Sequence, residues 1–156
     1  ADEKELCRLD EIYSAVKTPF EIRSGSEKVT RRFFKICNNG RESFTGLYKS
    51  LTEQGICKGH QCIAYGLYMR DNGIELSEGL AVYGYSICSA IVTNCVKLVP
   101  LSQLAGQKIL GESFELISSA SEKALFTDIN DIGISGAGFD LRAMQHERLY
   151  SRQYMS

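Results

Sequence analysis

Apolar residues recur at three- and four-residue steps along most of this chain, and turn-forming residues divide that pattern into segments. In the longest segment, the repeating positions are Leu80, Ile87, Ile91, Cys95 and Leu98. Such spacing places apolar side chains on one face of an α-helix. The sequence has no alternating segments paired by hairpin turns and no internal repeat. It therefore predicts an all-α bundle of about six to seven helices.

Capping and stop signals set the expected boundaries. Thr18 is expected to cap a helix with Pro19 at its first position and Glu21 completing a capping box, and an Asn-Asn-Gly stop follows at 38–40. Pro100 should break the chain after the longest helix. Two glycines in that helix, Gly79 and Gly84, predict the close approach of another helix. The remaining helices are predicted at about 43–53, 59–71, 75–98, 102–110, 114–125 and 139–154.

The domain expectation is a single helical domain over residues 1–156, with a glycine-rich loop at 127–138 and a docking helix or tail at 139–156. Residues 2–5 are Asp-Glu-Lys-Glu, a pattern that is typical of the middle of a helix. We therefore expect residues upstream of this sequence, with trimming at a processing site as the alternative.

Composition argues against several classes of partner. The net charge is −1, so no overall basic field attracts nucleic acid or anionic lipid. The apolar stretch 87–99 is shorter than the roughly 20 residues that a membrane span requires. The chain is large enough to form a core without disulfides, so its six cysteines are expected to be reduced core thiols in the cytoplasm. Cys88 and Cys95, which share a helix face, are the clearest candidates.

Motifs for catalysis are scarce. The chain lacks a Gly-x-x-x-x-Gly-Lys-Ser/Thr phosphate loop, so we do not expect it to hydrolyse nucleotides. The glycines at 133–138 follow no predicted strand and are interpreted as a connector. Cysteine–histidine catalysis would need two such residues brought together by the fold, and no spacing singles out a pair. We therefore predict that the chain is not an enzyme and needs no cofactor.

One short motif contains residue types that bind metal. Cys57, His60 and Cys62 lie within six residues, and thiolate and imidazole ligands suit zinc or nickel. The chain lacks a Cys-x-x-Cys pair, however, and its other histidine, His146, is distant in sequence. The motif is thus a weak metal candidate, with a structural or interface role for His60 as the preferred interpretation.

The end of the chain combines basic and aromatic residues. Arg142, His146, Tyr150 and Tyr154 recur at four-residue steps, so one face of a helix could carry all four. Tyrosine and arginine are enriched at binding hot spots. These residues support two interpretations equally: a surface helix docked on its own bundle, or an arm that binds a partner.

Two long blocks of this sequence match a known family. Residues 94–110 contain Val-Lys-Leu-Val-Pro-Leu-Ser-Gln, including Lys97 and Gln103, followed by Gly106 and Gln107. This block resembles the central signature of the UreF family of urease accessory proteins. The His-Glu-x-x-Tyr-Ser-Arg run from His146 to Arg152 resembles that family's closing pattern, and the Tyr-Met-Ser ending is similar to Helicobacter-type members. The family's amino-terminal block is absent.

The resemblance implies an all-helical, dimeric adaptor for nickel insertion into urease. Family members bridge the GTPase UreG to UreD, called UreH in Helicobacter, which docks on the urease apoprotein. The closing segment would then contact UreD/UreH, and the 97–107 block would serve the dimer and GTPase side. The partner-binding residues implied are Lys97, Gln103, Gly106, Gln107, Arg142, His146, Glu147, Tyr150, Arg152 and Tyr154, together with His60. The alternatives are a direct metallochaperone using Cys57, His60 and Cys62, and a small Cys/His hydrolase.

Overall fold

The computed structural model of this chain describes residues 2–37, 40, 42–133 and 136–150. Within those residues it contains eight α-helices and one 3₁₀ turn at Ile129–Asp131, and no β-strand. The all-α prediction is confirmed. The helices are α1 (Glu3–Val16), α2 (Phe20–Ile36), α3 (Phe44–Glu53), α4 (Gln61–Asp71), α5 (Leu76–Leu98), α6 (Gln103–Glu112), α7 (Phe114–Leu125) and α8 (Ala137–His146).

The helices fall into two compact units. The first unit contains α1–α4 and α8, and the second contains α5–α7. In the first unit, α3 packs on α4 and α1, and α2 packs on α4 and α8. In the second unit, α5 packs against both α6 and α7. The single domain expected over residues 1–156 stays a prediction.

The core of the first unit is small and mixed in character. Its buried members are Leu6, Phe34, Tyr48, Leu51, Cys57 and Ala64. Phe33 extends this core by packing its ring on Tyr65 and Tyr68, at centroid distances of 4.6 and 5.3 Å. Aromatic pairs at such distances add to the stabilisation that burial provides.

Several predicted boundaries are confirmed by their local geometry. Ser43 caps α3, with its Oγ accepting a hydrogen bond from the Gly46 N–H at 2.9 Å. Ser102 caps α6 in the same way through the Ala105 N–H at 3.1 Å. Helix α5 ends at Leu98, two residues before Pro100, as the missing proline N–H requires.

Two predicted helix starts are wrong. Pro19 is the residue before the first turn of α2 rather than in it, no side chain caps this helix, and Glu21 binds His146 instead of completing a capping box. Helix α4 begins at Gln61 instead of Gly59. Gly59 has φ +87°, a left-handed conformation outside the helical region, and a Cβ there would lie 2.7 Å from Thr52 Cγ2. The expected Asn-Asn stop at 38–39 lies outside the described residues.

The second unit buries little of its apolar surface. Leu110 and Ile117 are its buried large side chains. The predicted close approach is confirmed at Gly84, where an added Cβ would lie 3.0 Å from Ile117 Cγ2 of α7. Cys88 and Cys95 are only half-buried, and Ile87, Ile91 and Leu98 are exposed. The expectation that this face of α5 lies in the core is therefore wrong within this chain.

Helix α5 also corrects the argument about membranes. It has 23 residues and an 18-residue stretch with a mean hydropathy of 1.4, of which 6% is buried, so its length and composition would allow it to cross a membrane. The stretch 87–99 considered from the sequence is shorter than the helix that forms. Length and composition do not distinguish a membrane span from a helix whose apolar faces are covered by protein.

Candidate functional site

A groove between α5 and α6 brings together four residues that the sequence singles out. Lys97, Gln103, Gly106 and Gln107 all line it. Apolar side chains of α5, Val92 and Val96, line it as well. The groove encloses about 480 Å³. The second unit thus assembles a mixed polar and apolar surface from residues on both sides of the Pro100 break.

The local sequence explains why this groove forms. Lys97 lies in the last turn of α5, where a cation interacts favourably with the negative end of the helix dipole. Ser102 then starts α6 after a short connection. Gly106 lets α6 approach α5, because a Cβ at that position would lie 2.7 Å from Val96 Cγ2 and 3.3 Å from Val92 Cγ1. The structure therefore gives Gly106 a packing role, which the sequence alone does not separate from partner contact.

The first unit positions a second group of predicted residues on α8. His146 Nδ1 lies 2.6 Å from Glu21 Oε2 on α2. Glu147, directly after α8, accepts a hydrogen bond from the Phe20 N–H at 2.9 Å, which satisfies a free donor at the start of α2. Two residues expected to bind a partner therefore hold α8 onto α2. None of the residues of α8 is buried, and its apolar side chains Phe139 and Leu141 are exposed.

The predicted single face along the closing helix is wrong. Helix α8 begins at Ala137, within the stretch expected to be a loop, and ends at His146 rather than near residue 154. Arg142 donates a hydrogen bond to Gln145 Oε1 at 3.1 Å, and Tyr150 lies beyond the helix with its side chain fully exposed. Arg152 and Tyr154 lie outside the described residues. The helix therefore ends directly before Glu147, the residue that accepts the hydrogen bond from the first residue of α2.

A buried polar network surrounds His60 and was not predicted. Asp10, which is buried, accepts hydrogen bonds from the Lys58 and Gly59 N–H groups at 2.8 and 3.0 Å and from the Tyr48 hydroxyl at 2.5 Å. The Tyr48 oxygen in turn accepts the His60 N–H at 2.8 Å. One carboxylate therefore ties α1, α3 and the connection before α4 together. Burial is the largest cause of the raised pKa of Tyr48, and its hydrogen bond to Asp10 adds to the increase.

His60 itself is fully enclosed. Its side chain is 0% exposed, its Nε2 lies 2.7 Å from Ser14 Oγ, and its ring packs on Tyr13 at 4.5 Å. Burial lowers its pKa and so favours the neutral imidazole. The prediction that His60 contacts a partner is therefore corrected, since the folded unit presents none of this side chain to solvent.

The side chains of Cys57, His60 and Cys62 do not point to one common position where they could bind a metal together. Cys57 Sγ contacts Cys7 Sγ at 3.8 Å, whereas His60 faces Ser14. Cys62 contacts Tyr13, and burial raises the pKa of this thiol to about 11. Across residues 2–37, 40, 42–133 and 136–150, no three His, Cys, Asp or Glu side chains are grouped as metal ligands. The hydrogen bonds of His60 and His146 run to serine and glutamate, which gives no support to a Cys/His catalytic pair.

Comparison with known proteins identifies the family. The UreF family model matches residues 1–113. The urease accessory protein UreF of Actinobacillus pleuropneumoniae serotype 3 (strain JL03) is 34% identical over 152 residues, which cover 97% of this chain and 67% of that protein. UreF of Haemophilus influenzae is 35% identical over 153 residues, covering 97% and 65%. UreF of Streptococcus thermophilus (strain LMD-9) is 28% identical over 148 residues, covering 94% and 62%.

Within the described residues, the fold is that of an all-helical protein, with a groove between α5 and α6 and no grouped set of metal-binding side chains. The chain belongs to the UreF family of urease accessory proteins. It spans about two thirds of the length of the curated relatives it matches. Members of this family are generally non-catalytic. The likeness to Helicobacter-type members stays a prediction.

Proposed function

We propose that this chain acts in the cytoplasm as the adaptor that joins UreG to UreD/UreH during nickel insertion into the urease apoprotein. The observation that carries this proposal is the groove in the second unit, where the exposed residues Lys97, Gln103 and Gln107 come together beside the buried Gly106. The groove offers a lysine and two amide side chains beside apolar walls. Such a mixture suits a specific protein partner.

The exposed apolar faces of the second unit support assembly with protein rather than isolation in water. Helices α5–α7 expose large side chains that include Val82, Ile91, Leu104, Phe114 and Leu116. Extensive exposed apolar surface on a soluble domain marks sites where other proteins bind. We propose a homodimer through α5 as the first such contact, with the accessory partners covering further surface. If a second copy and the accessory partners cover the apolar faces of α5, the high hydropathy of this helix is explained without a membrane.

The direct metallochaperone is the weaker candidate. It would require Cys57, His60 and Cys62 to act as one ligand set, yet their side chains meet Cys7, Ser14 and Tyr13 respectively. Bringing them together would require opening a buried hydrogen-bond network at substantial cost. The adaptor proposal predicts that the double variant His60→Ala/Cys62→Ala binds nickel with unchanged affinity.

The double variant Lys97→Ala/Gln107→Ala is expected to weaken UreG binding by about tenfold or more, because truncating hot-spot side chains commonly costs at least about 1.4 kcal/mol. Both residues line the groove, and the close approach of α6 to α5 that is described above lies at Gly106, Val92 and Val96. Size-exclusion co-elution and titration with purified UreG measure the effect. Lys108→Ala is the matched control, because that lysine is exposed on α6 and paired with Glu112. Equal loss in both variants would count against the groove.

Arg152→Ala is expected to weaken UreD/UreH binding by about tenfold or more while leaving the fold intact. Arginine presents its donors in a rigid plane, so it can form a charge-assisted contact that lysine would not reproduce. The measurement is a pull-down with UreD/UreH, accompanied by a thermal melt. Arg8→Ala, on the exposed side of α1, is the control. Unchanged binding by Arg152→Ala would remove the closing segment from the proposed interface.

A further inference from the structure

Two of the six cysteines touch each other inside the first unit. Cys7 lies on α1 and Cys57 in the connection between α3 and α4, and their sulfur atoms are 3.8 Å apart. Both are free thiols. Cys57 is 3% exposed, whereas Cys7 is half-buried. The two residues are 50 positions apart in sequence, so the fold alone brings them together.

The contact is built into the local structure. Asp10 lies one turn after Cys7 on α1 and accepts the N–H groups of Lys58 and Gly59, the two residues after Cys57. On the other side, the Cys57 N–H donates to Leu51 O at 3.2 Å. The backbone around Cys57 is therefore held against the face of α1 that carries Cys7. A disulfide requires a sulfur–sulfur distance of about 2.05 Å, so each sulfur would move by only about 1 Å.

We propose that Cys7 and Cys57 form a reversible oxidation site, at which a peroxide converts the two thiols into an intramolecular disulfide that links α1 to the connection before α4. This covalent modification lies beyond the adaptor function. It joins the same two segments that Asp10 joins by hydrogen bonds. Oxidation would therefore fix the existing arrangement of the first unit rather than create a new one.

The chemistry balances with hydrogen peroxide as oxidant. The Cys7 thiolate attacks one peroxide oxygen and the O–O bond breaks, which leaves a sulfenic acid on Cys7 and hydroxide that takes up a proton to become water. The Cys57 thiolate then attacks the sulfenic sulfur, the S–S bond forms and the S–O bond breaks, and a second water leaves. The two thiols lose two electrons and two protons in total, and the peroxide is reduced to two waters.

The second step should depend on pH. The pKa of the Cys57 thiol is raised to about 12, chiefly by burial, and the contact with Cys7 and the nearby carboxylates of Asp10 and Glu11 on α1 contribute to the same increase. Tyr48 on α3 also faces this thiol. Only the thiolate attacks. At pH values below the pKa, the thiolate fraction increases about tenfold for each unit by which the pH rises. Disulfide closure should therefore be about tenfold faster at pH 8.5 than at pH 7.5 when this step limits the rate.

The test uses the full chain treated with hydrogen peroxide, alkylated and digested for mass spectrometry. We expect a Cys7–Cys57 linked peptide, loss of two of the six thiols, recovery of both with dithiothreitol, and a higher melting temperature in the oxidised form. Cys7→Ser should abolish the linked peptide, and Cys62→Ser, the matched control, should retain it. Oxidation of Cys7 to sulfinic acid with Cys57 still reduced, or linkage of either residue to another cysteine, would overturn the proposal.

A second variant tests the origin of the contact without removing a thiol. Asp10→Asn keeps the shape of the side chain but loses its charge and one of its two acceptor oxygens. The disulfide fraction at equilibrium in a glutathione redox buffer at about pH 7.5 should be lower in Asp10→Asn than in the unmodified chain, because the connection is held less firmly. This fraction is compared instead of the rate, because losing the Asp10 charge also lowers the pKa of Cys57 and would by itself speed closure. An unchanged fraction would show that the carboxylate does not hold the two thiols together.

Discussion

Replacing Asp10 with alanine is expected to lower the free energy of unfolding of the first unit by about 3 kcal/mol or more. The carboxylate accepts the Lys58 and Gly59 N–H groups and the Tyr48 hydroxyl; the contacts with Gly59 and Tyr48 are buried, and the contact with Lys58 is partly buried. Truncation leaves the two buried donors without this acceptor. Each such donor costs about 1–3 kcal/mol, so the combined effect exceeds that of most single substitutions.

Urea unfolding followed by circular dichroism measures the loss, and hydrogen exchange at the amides of α1 and α3 assigns it to the first unit. Glu5→Ala is the control, because Glu5 lies on the same helix in an exposed ion pair with Arg8 at 3.0 Å. Such a pair contributes about 1 kcal/mol or less. A loss for Asp10→Ala no larger than that for Glu5→Ala would mean that this network does not stabilise the unit.

Local signals predict most helices of this chain, because the residues that start or end a helix act on their own neighbours. Ser43 and Ser102 satisfy backbone donors three residues ahead, and Pro100 lacks a donor wherever the fold places it. The groove residues are also within reach of sequence analysis. Lys97 and Gln107 come from adjacent helices joined by a short connection, so their meeting requires little information about the rest of the fold.

Contacts between distant segments explain the wrong predictions. Glu21 has the right spacing for a capping box, but His146, 125 residues away, binds its carboxylate instead. His60 and Cys57 have metal-binding chemistry, but partners on α1 determine where each side chain points. One signal was available: Asp10 follows Leu6 by four residues, so an acidic residue lies on the buried face of α1. A carboxylate at such a position predicts a buried hydrogen-bond network.

Gly106→Val is expected to lower the stability of the second unit by about 2 kcal/mol and to abolish detectable UreG binding. The added Cβ alone would lie 2.7 Å from Val96 Cγ2, and the two further methyl groups need space that α5 occupies. Because Val96 is itself β-branched and has few rotamers in a helix, relief requires α6 to move away from α5. That movement would separate Lys97 from Gln107 and so disrupt both sides of the groove.

The same substitution at Gly111, also on α6, provides a matched control. No atom lies within 4 Å of a Cβ added there, so Gly111→Val should be neutral or slightly stabilising, since valine is a better helix former than glycine. Thermal unfolding and hydrogen exchange at α6 compare the two variants, and co-elution with UreG measures function. If Gly106→Val matched Gly111→Val in both assays, the close approach of α6 to α5 would not be what forms the groove. A loss confined to Gly106→Val would show that a glycine in the family signature acts by letting two helices meet, and that the neighbouring lysine and glutamine depend on that packing to bind a partner together.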